Sequence, residues 1–447
     1  MNVHFKAAAS CVLALTLIAC SEQKVANEAT AHSKDTSNAT AKETHNAVTI
    51  YCGTLIDGLA NEPLLNRTVS AVDGRITAVS EGKPEGDFID LSKHTCLPGL
   101  IDSHAHITEP PDTADLSVYY DRGLEETMEI SKANSAVTLS AGFTTIRNLG
   151  AYYGWAGREL RDRINRGDMP GPRIQASGFY LTIPAGGGDL VIPDQPEERI
   201  PAHSRLGVAQ GEKQFREKAQ AAVDGGADVL KAIASGAVLA YGGVPGSPEM
   251  TQTEIRAAAE VAHAAGIKLT AHAHGAQSIK DAILAGADSI EHASLADDEA
   301  IALAVKHDVA FSMDVYNGSY ISTVGREQNW PEEFLRKNDE TTEAQRQVFT
   351  KAHKAGVAII YGTDSGVYPH GDNAKQFPIM VERGMTAMQA IKAATSVAAK
   401  YIGWSKDVGA IEIGRYADLI AVRKDPLEDI GSLQNVDVVI KGGERFK

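Results

Sequence analysis

Residues 224–236, DGGADVLKAIASG, decide the fold. A turn of small residues leads into the apolar run Val229-Leu230, which continues past Lys231 through Ala232-Ile233 and breaks at Ser235-Gly236. A short apolar run between glycines reads as a buried β-strand. The same phrase, a helical stretch followed by a small-residue turn and a buried strand, recurs along the chain. It returns at 140–150 (SAGFTTIRNLG), 263–275 (HAAGIKLTAHAHG), 284–294 (LAGADSIEHAS), 306–314 (KHDVAFSMD) and 354–366 (KAGVAIIYGTDSG). GLIDSHAHI at 99–107 opens the series and PRIQASGFYL at 172–181 supplies the third strand, which brings the expected set to eight. Helix-like runs at 212–223, 253–265, 276–285 and 341–354 separate them. Continuous apolar strands alternating with helices imply a parallel sheet covered on both faces. Eight such units across residues 97–411 predict an α/β fold, a (β/α)8 TIM barrel. A doubly wound open sheet is the alternative; it gathers ligands at one switch point, whereas the polar residues here close several different strands.

The flanks differ in character. Residues 47–96 alternate β-branched and polar residues with turns at Asp57-Gly58 and Asp73-Gly74, and 412–447 again reads as short strands with glycine turns. The two pieces bracket the barrel and are expected to join in one small β-sandwich domain. Ahead of them, residues 1–19 read as a signal peptide: Lys6, then an apolar stretch ending Leu17-Ile18-Ala19 before Cys20. This resembles a bacterial lipoprotein signal with lipidation at Cys20, and Ser21 resembles an outer-membrane sorting position. Residues 20–46 are polar, without periodic apolar positions, and read as a disordered linker. Once Cys11 leaves with the signal, Cys52 and Cys96 are the cysteines of the fold; a disulfide and two buried thiols both remain open. The net charge of −15 argues against a nucleic-acid face. The 43% hydrophobic content is that of an ordinary globular protein.

Polar residues at the strand ends carry the chemistry. His104 and His106 lie two apart on the first strand and so share a face. Lys231 sits inside a buried strand, where an unpaired ammonium is costly. His272 and His274 also share a face, so spacing does not choose between them. His292 ends the sixth strand, with Glu291 beside it expected to point the other way and serve structure. Asp364 follows the eighth. A barrel brings the C-terminal ends of its strands to one mouth, so these residues can meet there. Imidazoles and a carboxylate suit a hydrolytic metal, and the lysine points to two ions. Lys231 can bridge them only as a carbon dioxide adduct, a carbamate, whose formation needs the neutral amine. His203 and His370 fall on loops, where nothing singles them out.

DGRITAV, LPGLIDSHAHI, GFTTIRNLG, DVLKAIASG, TAHAHG, ADSIEHAS, YGTDSG and GRYADLIAV together resemble the amidohydrolase superfamily over residues 47–447. Within it the chain is similar to the branch of Xaa-Pro dipeptidases, related carboxypeptidases and ochratoxin-type amidases. The resemblance implies a binuclear zinc centre. His104, His106 and Asp364 hold the first metal, His272 and His292 the second, and carboxylated Lys231 bridges. It leaves His274 beside the substrate. Two positions depart from the pattern: Gly187 stands where relatives often carry histidine, and Asn148 where aspartate is expected.

The reading is therefore a metal-dependent hydrolase cleaving an amide or peptide bond of a dipeptide or N-acyl amino acid with a free carboxylate. Asp364 acts as proton acceptor and donor and His274 orients the scissile carbonyl. Tyr241, after the fourth strand, either holds the substrate carboxylate or packs. A mononuclear cyclic-amide hydrolase or deaminase of the imidazolonepropionase type is the alternative, and Lys231 argues against it. A non-catalytic envelope lipoprotein would be expected to have shed ligands. The expected setting is the cell envelope of a Gram-negative-type bacterium, at the outer membrane facing the periplasm. Membrane contact is through the lipid anchor alone, and homo-oligomerisation is left open.

Overall fold

A computed structural model describes residues 46–110 and 114–447. The expected signal peptide, the linker up to residue 45 and Cys20 lie outside the described residues. The eight barrel strands fall where the repeated phrase places them. They are Leu100–Ala105, Phe143–Asn148, Arg173–Ala176 with Tyr180–Leu181, Val229–Ile233, Lys268–Gly275, Ser289–Leu295, Ala310–Ser312 and Ile359–Ile360. The third strand is in two pieces because Gly178, at φ +80°, bends the chain between them. Parallel ladders join the first strand to the second and the second to the first piece of the third. They then run from the second piece of the third strand through to the eighth. Beyond the eighth, single main-chain bonds return to the first: Ser103 N–H to Tyr361 O and His106 N–H to Ser365 O, both 2.7 Å.

The intervening helices have local reasons to start and stop. Gln252–Ala264 begins at a capping box in which Thr251 and Glu254 satisfy each other's main-chain donors. Ala276–Ala285 and Glu332–Ala355 both end on left-handed glycines, Gly286 and Gly356. The helix expected at 341–354 begins earlier, at Glu332. Its first turns run over the barrel mouth, and Phe334 and Leu335 there pack with Tyr320, Ile321 and Trp330 rather than on the barrel wall.

The flanks meet as expected, though as one continuous sheet. Residues Ala47–Leu55, Leu64–Val72, Arg75–Glu81 and Ile89–Pro98 pair with Leu419–Val422, Val438–Lys441 and Glu444–Arg445 in seven strands. Its edge strand Arg75–Glu81 folds back where Arg75 bridges Tyr416, just ahead of Leu419–Val422, enclosing a core of Ile50, Leu55, Val69, Leu419 and Ile440. Cys52 and Cys96 sit on neighbouring strands of that sheet with their Cα atoms 6.0 Å apart, and they are joined in a disulfide. Sheet and barrel are tied by Arg173, whose Nε donates to Asp418 at 2.8 Å, and by Gly99 N–H on Asp418 O at 2.9 Å.

Candidate metal centre

Below the mouth, the barrel axis is polar. Arg147, fully buried on the second strand, donates to Ser103 O at 2.6 Å, Ser289 Oγ at 3.2 Å and Glu291 Oε1 at 2.8 Å. Glu291 also accepts from Thr270 Oγ1 and lies 2.9 Å from His104 Nδ1. The expectation that Glu291 faces away from its neighbour His292 is therefore corrected: both enter the interior. Adjacent residues of a regular strand point to opposite faces, but His292 and Ala293 have φ of +69° and +50°. That left-handed step, uncommon for side chains with a Cβ, rotates the strand end inward.

On this base the predicted ligands converge. His104 Nε2 and His106 Nε2 lie 3.2 and 3.1 Å from Asp364 Oδ1. The three donor atoms of that cluster all fall within 4.8 Å of one another, as do those of His272, His274 and His292. The clusters adjoin, with the His104 and His292 rings 5.0 Å apart. Asp364 reaches inward from a left-handed residue, φ +57°, and its Oδ2 accepts Asn317 Nδ2 at 3.0 Å. Lys231 lines the same cavity, and its Nζ is buried without a hydrogen-bond partner. Burial, and then the Arg147 charge, pull that amine down to about 8 against the opposing pull of Glu291 and Asp364.

His272 and His274 stand 4.5 and 4.6 Å from the His292 ring, so both belong to the second cluster. His274 Nδ1 is taken by Ser294 Oγ at 2.8 Å, which leaves its Nε2 for the cavity. Burial, with His292 beside it, pushes His274 down to about 3 and keeps it neutral. His292 is held from behind: its Nδ1 lies 2.9 Å from Asp314 Oδ1, and Asp314 also accepts Asn317 Nδ2 at 3.0 Å and Gln345 Nε2 at 2.7 Å. Burial opposes protonation of His292, but the Asp314 charge outweighs it and raises the imidazole's pKa.

Tyr241 is not brought to the cavity; its ring packs 4.8 Å from Phe334, the packing side of the two expected roles. Of the loop histidines, His203 stacks on Tyr153 at 4.1 Å and His370 Nε2 lies 3.3 Å from His106 O. Gly187 does line the cavity, where an added Cβ would meet Ala237 at 3.0 Å. Asn148 holds the chain just after His106, accepting Ile107 N–H at 2.9 Å. Sequence reading missed Asp314, although an acid closing the seventh strand is a visible signal. It also missed Asn317, Gln345 and the cavity residues Glu109, Tyr119, Tyr152 and Tyr180, for which no local pattern exists.

Residues 95–446 match the family model described as the amidohydrolase family. Ochratoxinase of Aspergillus niger is 31% identical over 424 residues, covering 89% of this chain and 86% of that protein. Imidazolonepropionase of Symbiobacterium thermophilum is 25% identical over 395 residues, 79% and 82% of the two chains. A crystal structure of a Xaa-Pro dipeptidase with methionine bound in its active site superposes with a TM-score of 0.83 at 34% identity. It covers 90% of this chain and 100% of that one.

Proposed function

The chain belongs to the amidohydrolase family, and on that premise we propose that it is a metal-dependent hydrolase cleaving the amide bond of a dipeptide or N-acyl amino acid. The relatives that act on such bonds support this choice of substrate: an ochratoxinase and a Xaa-Pro dipeptidase. One observation carries the metal reading, the fully buried, unpartnered amine of Lys231 among five histidines and Asp364. As an ammonium it would be a buried charge with no hydrogen-bond partner. As the neutral amine favoured by burial it can add carbon dioxide, release a proton and present two oxygens that share one negative charge. The donor set then fits two divalent ions, for which we propose zinc. His104, His106 and Asp364 would hold one, His272 and His292 the other, with carbamylated Lys231 shared between them.

When bound, the metals supply Lewis acidity that brings the pKa of a water toward neutrality and polarises the scissile carbonyl. The chain's own groups do the rest. Asp364, with one oxygen fixed by Asn317, accepts the proton of the attacking water and returns it to the leaving amine. His274, neutral and fixed through Ser294, turns Nε2–H toward the carbonyl oxygen as negative charge builds there. Asp314 and Glu291 hold the imidazoles of His292 and His104 in place from the far side. Metal analysis of purified protein together with a hydrolysis screen tests the reading. About two zinc ions per chain and turnover of dipeptides or N-acyl amino acids are expected. One ion per chain, or no turnover across both panels, overturns it.

We further propose an envelope location through a lipid on Cys20. The Cys52–Cys96 bridge supports it, since disulfides persist in oxidising compartments. Cys20→Ser should move the protein from the membrane to the soluble fraction of lysed cells; an unchanged distribution would count against the anchor.

A further inference from the structure

The cavity above the candidate ligands has two unlike walls. Asn317, Asn338, Thr341 and Thr342 supply amides and hydroxyls from the segments after the seventh strand. The segments after the first two strands, with the third strand itself, supply Glu109, Tyr119, Tyr152 and Tyr180. Glu109 is 6% exposed, and its Oε1 accepts the Tyr152 N–H at 2.9 Å. The Tyr119 and Tyr152 rings lie 4.8 Å apart, and Tyr152 meets Tyr180 edge-on at 5.5 Å. Tyr180 Oη stands 3.3 Å from His106 Nδ1, so this wall runs directly into the first ligand cluster.

The charges of the lining decide what this wall receives. Among the described residues the lining carries one long-chain cation, Lys231, and no arginine. Of its three carboxylates, Asp364 belongs to the ligand cluster and Asp314 is occupied by His292, Asn317 and Gln345. Glu109 is the third, and the partners its carboxylate takes, the Tyr152 N–H and the Tyr119 hydroxyl, are both uncharged. Arg122 lies behind the wall, its guanidinium 4.9 Å from the Tyr119 ring and outside the lining; burial raises the Glu109 carboxyl, while the Tyr152 N–H, the His106 ring and then the Arg122 charge pull it back. A carboxylate framed by tyrosine rings binds an ammonium twice over, by a charge-assisted hydrogen bond and by the negative ring faces. A peptide α-amine is largely protonated at neutral pH.

We propose that Glu109, with Tyr119, Tyr152 and Tyr180, binds the free α-ammonium of a dipeptide and so selects unblocked dipeptides over N-acyl amino acids. The inference rests on the amide-hydrolase reading of the same mouth and narrows it. Zinc-loaded wild type and Glu109→Gln are compared on a panel of dipeptides and their N-acetyl counterparts. The variant keeps the side-chain shape and an oxygen for Tyr152 N–H, so zinc content and melting temperature should not move. Wild type should favour the free dipeptides in kcat/KM by about tenfold or more, and the variant should bring the ratio near one.

Calorimetry with phenylalaninamide and N-acetylphenylalaninamide supplies a readout apart from turnover. The cationic amide should bind wild type about tenfold tighter, and the two should bind the variant alike. A wild-type ratio near one overturns the proposal, as does a preference that survives Glu109→Gln, which would send the amine elsewhere. Cleavage of acetylated substrates alone sinks this inference and leaves the hydrolase reading standing; cleavage of neither sinks both. Should the variant not fold, the wild-type ratios decide.

Discussion

Two buried cations, Arg147 and Lys231, sit in the same barrel interior with opposite surroundings. Every guanidinium nitrogen of Arg147 has a partner, and Glu291 supplies its counter-charge. Lys231 Nζ has no hydrogen bond, although it lies among residues rich in lone pairs. Arginine cannot shed its proton in such a place, whereas lysine can, and a satisfied arginine beside an unsatisfied lysine marks the lysine as the reactive one. Residues that merely support a metal ligand cost about 10–100-fold when lost, so Lys231→Ala should cost at least about a hundredfold in kcat/KM. Metal content should fall with it. Substantial turnover at normal metal loading, read by elemental analysis on the same sample, would contradict the shared-ligand role.

At the scale of elements, the strands deliver the site by how they end. Left-handed residues at His292, Ala293 and Asp364 turn side chains inward that a regular pleat would send outward. A different strand end shows the cost of a misplaced charge. Lys441 closes Val438–Lys441, where burial, with Arg173 adding to it, lowers its amine to about 8 against Asp418 and Glu444. With the folded pKa below the unfolded one, the unfolded chain binds more protons between pH 8 and about 10.4, so stability rises with pH across that window. Below it, the penalty is fully present. Lys441→Met should therefore stabilise the protein at pH 7 by roughly 1–3 kcal/mol, and the gain should fade as pH approaches about 10.4. Urea denaturation at the two pH values checks it; a gain independent of pH would assign the effect to packing.

Residues 46–447 are closed by contacts between the two flanks of the barrel. The small sheet draws strands from both sides of the barrel, the disulfide ties Cys52 to Cys96 across 44 residues, and Arg173 on the barrel reaches Asp418 on the sheet. Replacing both cysteines with alanine removes a restraint on the unfolded chain and should cost about 2–4 kcal/mol. Urea unfolding would register it as a lower midpoint, while zinc content should stay the same, because the bridge lies in the sheet and not in the mouth. Loss of metal in that variant would mean that the sheet holds the barrel's strand ends in register.

The strand phrases, the small-residue turns and the helical runs were enough to set eight barrel strands and to put His104, His106, Lys231, His292 and Asp364 at one mouth. That is because side-chain periodicity and burial are local properties, and a parallel barrel has one place for its strand ends. The sequence did not pair Cys52 with Cys96 or foresee Glu291 reaching His104. Each of these depends on distances between segments far apart in the chain, or on a left-handed step at one residue that no pattern announces. The same holds for Glu109 framed by three tyrosines. Only folding sets which polar groups of separate loops are left facing one another out of water, and that residue of unpaired chemistry is what selects a substrate.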